Sequence, residues 1–412
     1  MNFFQAAYVL LSYSIGIAIS YFSGWLKGSL GERKKALPPP HLPPRQWIWI
    51  QAVSLGELLL VEPLVKKILE KKVHIHITTS TNAGFNLLKT LLSTTLKDDH
   101  ISGGFFPLDL VPSLKFWMKA QPKSVILMET ELWPNLIRLC KKNQIPIGIV
   151  NGRLTRKSLR WIKRLTMSSL AQLDFVIARD HESDVLFRGL GAPVVHFGGN
   201  LKAACIHPDP LTYPWHDLSR LWNSCPIWVI GNTLDGEEAL LLNLWKQRKK
   251  IQPNLKCILA PRQPKRFDKV EVLLRSENHA YTRASHWKRN TQILLNDILL
   301  LDTVGDLSTL YQLGELAFIG GGWMGRGGHN PLESLRYGVQ TIIGSHYENF
   351  IDLVPPLLST GYLAAVSAEQ LYDYAYNFQS PVGKELDPSL RTVLSDFEKA
   401  LDRTWEPLQR YV

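Results

Sequence analysis

Short runs in which nearly every position is apolar alternate along this chain with longer stretches whose apolar residues recur every three to four positions. The runs include WIWIQAV (47–53), HIHITTS (74–80), SVILMET (124–130), IPIGIVNGR (145–153) and DFVIARD (174–180). Helical patterns such as ELLLVEPLVKKILEKK (57–72) and AGFNLLKTLL (83–92) separate them. Continuous apolar runs are strands buried on both faces, and their alternation with helices predicts a parallel sheet covered on each side. Around HPDPLTYPW (207–215) prolines and polar residues interrupt the pattern. It restarts with PIWVIGN, KCILAPR, ILLLDTVG, LAFIGG and TIIGS as strands, and with GEEALLLNLWKQRKK as one of the helices. The expected fold is therefore α/β, with two Rossmann-like doubly wound halves joined near residues 205–222. The expected ligand site is a cleft between them at the carboxyl ends of the strands.

The first residues break this rhythm. FFQAAYVLLSYSIGIAISYFSGWL (3–26) carries no charge, which is enough helix to cross a hydrocarbon core of about 30 Å. Tyr21 and Trp25 stand near its end, and Lys27, Arg33, Lys34 and Lys35 follow, while no basic residue precedes it. The positive-inside rule then puts everything after the span in the cytoplasm. Gln5, the serines and the glycine also fit a half-inserted amphipathic anchor. ALPPPHLPPR (36–45) reads as a stiff proline-rich spacer. The predicted organisation is an anchor (1–26), a basic and proline-rich spacer (27–45), an N-terminal domain (46–206) and a linker (207–222). A C-terminal domain (223–390) and a final helical segment packing back on the N-terminal domain (391–412) complete it.

Composition narrows the function. Among 412 residues Lys and Arg outnumber Asp and Glu by 47 to 36, a net charge of +11, which favours an anionic partner. Cys140, Cys205, Cys225 and Cys257 are scattered and form no C-x-x-C pair, so they read as reduced thiols outside any disulfide or zinc framework. The absence of H-E-x-x-H, G-x-S-x-G and G-K-[ST] speaks against zinc protease, serine hydrolase and P-loop chemistry. His74 and His76 alternate along a strand and read as structural.

The candidate chemistry sits at strand ends. GGGWMGRGGHNPLES (320–334) follows a strand, and Gly320, Gly322 and Gly325 satisfy G-x-G-x-x-G. A dinucleotide loop enters its helix within the glycines and opens its domain. This one comes late, and its helix is predicted to begin at Asn330-Pro331, with Pro at N1 and Glu333 in the first turn. Its free N–H groups suit an anion, and the same pattern also fits a glycine turn with ordinary capping. Ser54 and Glu57 lie where the first strand meets its helix. There a carboxylate either complements the helix dipole or serves as a base. Glu129 and Glu131 leave another strand and, if it continues, face one side; backbone N–H groups or an arginine such as Arg153 could equally satisfy them. Lys202, Arg262, Lys265 and Arg266 bring positive charge to further strand ends, suited to phosphate or carboxylate ligands.

Seven segments occur in a telling order: AVSLGE, METELWPN, NGRLTRKS, GNLK, APRQPKRF, DTVGDL and GGHNPLE. Through them the chain resembles the 3-deoxy-D-manno-octulosonic acid (Kdo) transferases of lipopolysaccharide synthesis, over about residues 47–349. That resemblance implies a GT-B fold and transfer of Kdo from CMP-Kdo, with inversion, to a hydroxyl of the tetra-acylated lipid A precursor, one or more times. Its setting would be the cytoplasmic face of the inner membrane, with no metal, no other cofactor and no nucleic acid involved. It further implies Glu57 as the base, Glu129 and Lys202 in transition-state stabilisation, and CMP contacts from three segments. These are Pro261-Arg262, Val304-Gly305-Asp306 and Asn330-Pro331-Leu332-Glu333. A GT-B enzyme using a UDP- or GDP-sugar is the competing expectation. Leu234 in NTLDGEE, Trp323 and Gly325 in the glycine loop, and VGD in place of the commoner MGE depart from the family pattern.

Overall fold

The computed structural model describes residues 29–39, 42–155, 167–204, 210–291, 296–378 and 386–412. The segment expected to enter a membrane (3–26) lies outside them. No helix among the described residues is long and apolar enough to cross a bilayer. The chain divides into two compact units, Met1–Cys205 with Phe397–Val412, and Ile206–Asp396.

The strands of the first unit are β1 (Trp47–Gln51), β2 (His74–Thr79), β3 (Ile101–Phe105), β4 (Ser124–Met128), β5 (Ile147–Gly152), β6 (Phe175–Ala178) and β7 (Val195–Phe197). They form one parallel sheet in the order β3-β2-β1-β4-β5-β6-β7. Chain order reverses between β1 and β4, so the loops after these two strands diverge and leave a crevice at their carboxyl ends. Both strands are buried along their whole length. On one face Trp47 and Trp49 pack with Trp117, and on the other Ile48 and Ile50 pack with the helix Leu55–Leu69. The C-terminal helix Ala400–Leu408 joins this second layer, and Tyr411 stacks on Phe175 with ring centroids 4.3 Å apart.

In the second unit the strands are β8 (Ile227–Thr233), β9 (Lys256–Pro261), β10 (Tyr281–Arg283), β11 (Ile298–Leu300), β12 (Leu316–Ile319), β13 (Gln340–Gly344) and β14 (Leu363–Val366). Their order is β10-β11-β9-β8-β12-β13-β14, again all parallel. The reversal here falls between β8 and β12. The loop of GGGWMGRGGHNPLES therefore leaves the sheet beside the Asn232–Gly236 turn.

Residues of the segment read as a spacer dock on the first unit. Arg33, on the helix Ser29–Lys35, donates to the carbonyls of Phe106 (3.0 Å) and Pro107 (3.3 Å) and lies 5.5 Å from the ring centres of Phe106 and Trp133. Ala36 and Leu42 pack on the core of the first unit.

The WPN of METELWPN has a structural reason. Trp133 cannot cap the helix Pro134–Lys142 with its side chain, and the buried Asp109 does so from another loop. Its carboxylate accepts the N–H groups of Asn135 (3.1 Å) and Leu136 (2.9 Å), while the Asn135 amide returns a bond to the Asp109 carbonyl at 2.7 Å. Asp109→Ala strands two buried donors and should cost about 1–3 kcal/mol in urea unfolding; unchanged stability would show that the cap is not needed.

Candidate active site

In the first unit the crevice between β1 and β4 collects the acidic candidates. Ser54 is extended (φ −118°, ψ 166°) and caps the helix Leu55–Leu69 by accepting the Glu57 N–H at 3.4 Å. The Glu57 side chain turns back, its Oε1 accepting the Ser54 hydroxyl at 2.9 Å and its Oε2 the Val53 N–H at 2.7 Å. This is a capping box displaced by one residue, and it fixes the carboxylate at the strand end. Glu57 is only 8% exposed. Burial pushes its pKa up and the charge of Glu129 adds to this, against the Val53 and Ser54 hydrogen bonds and Lys202.

Glu129 does not continue the strand. β4 stops at Met128 and Glu129 takes a left-handed backbone (φ 54°), a conformation rare for a residue with a side chain and concentrated at functional sites. Alternation would put Glu129 and Glu131 on one side only if the strand continued, and the period of two ends before either residue. Glu129 Oε1 lies 3.7 Å from Lys202 Nζ. Lys202 is set by the short helix Leu201–Ala204, where Asn151 accepts the Leu201 N–H and Asn200 the Lys202 N–H, both at 3.0 Å. Glu57, Glu129 and Lys202 thus interact within one cluster.

Two further members had no role assigned from the sequence. Glu131 is driven up to about 7 by burial and then by the charge of Glu57, with Arg33 opposing. The METE pattern displayed Glu131, but its crowding with Glu57 is a tertiary fact. Arg33 sits in a segment whose composition signalled only a basic linker.

In the second unit, Asn232, the penultimate residue of β8, is also left-handed (φ 57°). Its amide donates to Glu333 Oε2 at 3.4 Å, and its Oδ1 accepts from Arg262 at 3.5 Å. Arg262 follows Pro261, the last residue of β9, and its N–H bonds the Thr233 carbonyl at 3.0 Å. Burial pushes the Glu333 carboxyl up, while Arg262, Asn232 and Arg336 oppose it. Burial, then Arg262, holds His329 down to about 4, so it is a neutral imidazole near neutral pH. The helix begins later than predicted: it spans Leu332–Leu335, Pro331 occupies the N-cap rather than N1, and Asn330 Oδ1 accepts the Leu332 N–H at 3.2 Å.

Asp306 has its carboxylate occupied by the chain itself. It accepts from Lys288 (3.1 Å to each oxygen), Trp215 Nε1 (2.9 Å) and Thr303 (2.5 Å). Burial alone would raise its pKa, yet these donors hold it below the usual range. Val304, 80% exposed, and Gly305 (φ 96°) form the open turn before it. Arg266 is likewise engaged, by Asp235 (2.5 Å) and the buried Glu238 (2.9 Å), leaving Arg262 as the exposed arginine of this strand end.

The glycine-rich loop differs from expectation in its donors. The Gly321 and Trp323 N–H groups, expected to be free, point at Glu237. A side chain at Gly322 would collide with the backbone of Gly344, 2.8 Å from its Cα. The spacing of Gly320 and Gly322 thus follows from close internal packing.

Two doubly wound parallel-sheet units make the GT-B fold. A solved glycosyltransferase from Rickettsia africae shares the fold, with a TM-score of 0.55 at 14% identity over 89% of this chain and 97% of that one. The family model of 3-deoxy-D-manno-octulosonic-acid transferase (kdotransferase) matches residues 28–205. The chain is 34% identical to the 3-deoxy-D-manno-octulosonic acid transferase of Haemophilus influenzae over 76% of its own length and 73% of the relative. With that of Bordetella pertussis it shares 27% identity over 86% and 82%. The chain belongs to the Kdo transferase family and is a glycosyltransferase enzyme.

Because the Glu131 pKa is raised in the folded state, its contribution to stability is full below about 4.5 and is lost as pH rises through about 7. Glu131→Gln removes that loss. The melting temperature of the variant should gain on the wild type as pH rises across this window; a constant difference would mean that Glu131 does not titrate there.

Proposed function

We propose that this enzyme transfers Kdo from CMP-Kdo to a hydroxyl of the tetra-acylated lipid A precursor, with Glu57 as the general base. The observation that carries the reading is the Glu57 carboxylate: nearly buried, raised in pKa, and fixed by Val53 and Ser54 at the reversal of its sheet. A base must be held in place and have a proton affinity above that of an ordinary carboxylate, and desolvation supplies the second requirement.

Glu57 takes the proton of the acceptor hydroxyl as its oxygen forms a bond to the anomeric carbon of Kdo. On the opposite face the bond from that carbon to the phosphate oxygen breaks, its electron pair leaves with CMP, and the configuration inverts. Positive charge develops on the sugar in such a displacement, and the Glu129 carboxylate is suited to stabilise it. Lys202, paired with Glu129, opposes the negative charge that grows during transfer. The second unit takes the donor, with Arg262 on the phosphate and Glu333 and Asn330 on the rest of CMP. Asp306 acts by holding Trp215 and Lys288 beside the Val304-Gly305 turn. Residues 3–26 hold the enzyme at the cytoplasmic face of the membrane that carries its acceptor.

Glu57→Gln keeps the shape of the side chain and removes the base. Turnover from CMP-Kdo should fall by about 10²–10⁴-fold while CMP binding by calorimetry stays as in the wild type. Turnover left unchanged would remove Glu57 from this role.

A further inference from the structure

Glu237 takes no part in the transfer steps, yet it is buried beside the glycine loop of the second unit. It is the first residue of the helix Glu237–Ile251, which the left-handed Gly236 (φ 92°) leaves without a side-chain cap. Its carboxylate folds back into the glycine loop instead. Oε2 accepts the N–H groups of Leu234 (2.9 Å) and Gly321 (2.8 Å), and Oε1 those of Gly321 (2.9 Å) and Trp323 (3.2 Å). The residue is fully buried. A Cβ at Gly320 would stand 2.6 Å from Oε2 and 2.5 Å from the Asn232 carbonyl, so only glycine lets the loop close on the carboxylate.

Backbone N–H groups converging on one point after a central strand form an anion nest, the arrangement that holds phosphate in glycine-rich loops. Here the anion belongs to the chain. A phosphate seeking the same donors would meet a filled volume and a like charge. Asn232, whose carbonyl lines the same face of Gly320 as this carboxylate, is the residue that bonds Arg262 and Glu333. The nest is therefore next to the proposed nucleotide position and closed to it.

We infer that Glu237 is a specificity-determining residue: it fills the place a second phosphate would take and restricts the donor to a nucleotide carrying a single phosphate. This rests on the reading that the second unit binds the nucleotide of the donor, and it adds a reason why that nucleotide is a monophosphate.

Calorimetry on the full chain with CMP and CDP, which differ by one phosphate, tests it. The wild type should bind CDP no more tightly than CMP. Glu237→Ala vacates the nest and should shift the CDP-to-CMP affinity ratio by about tenfold or more in favour of CDP. Binding of CDP by the wild type at least about tenfold tighter than CMP would overturn the inference without any variant, which covers the case in which Glu237→Ala fails to fold. A folded Glu237→Ala with the wild-type ratio would also overturn it. If the wild type bound UMP or UDP and neither cytidine nucleotide, the Kdo donor reading would fall. The UDP-to-UMP ratio, wild type against variant, would then judge Glu237 by the same criteria.

Discussion

A carboxylate at the end of a buried strand is costly unless donors meet it, and both units satisfy this constraint at the place where their sheets reverse. In the first unit Val53 and Ser54 hold Glu57; in the second, Leu234, Gly321 and Trp323 hold Glu237. The two solutions differ in what they leave over. Glu57 makes one bond to each oxygen, keeps a small exposed surface and retains a raised proton affinity. Glu237 is sealed. One carboxylate is thereby left able to accept a proton, and the other is committed to holding the glycine loop.

The acidic cluster of the first unit depends on the same economy of donors. Glu57, Glu129 and Glu131 crowd one crevice with Lys202 and Arg33 as the opposing charges. Their positions come from different sources: a helix cap for Glu57, a left-handed residue for Glu129, and for Lys202 a short helix pinned by Asn151 and Asn200. Arg33 reaches in from the segment that precedes β1, so residues between the expected anchor and the first strand belong to the environment of the site.

Much of the fold was legible because central strands are buried on both faces and so appear as unbroken apolar runs. The strands that escaped notice were β3, β7, β10 and β14, and each is an edge of its sheet. Edge strands are covered less, three of these four contain partly exposed positions in most of their length, and β3 carries Ser102-Gly103-Gly104, which reads as a turn. Among the site residues, Glu57, Glu129 and Lys202 were visible because strand-to-helix turns are local features. The engagement of Asp306 by Trp215 and Lys288, and of the glycine loop by Glu237, depends on residues roughly 20 to 90 positions apart. No local pattern announces such pairs.

The transfer reaction is tested most directly by mass spectrometry of the lipid after incubating the purified chain with CMP-Kdo and tetra-acylated lipid A precursor. The product should be heavier by one or more whole Kdo residues, with one CMP released for each. A folded chain that left the precursor unmodified with CMP-Kdo, and instead glycosylated it from a UDP- or GDP-sugar, would contradict the proposed donor and the role assigned to the second unit.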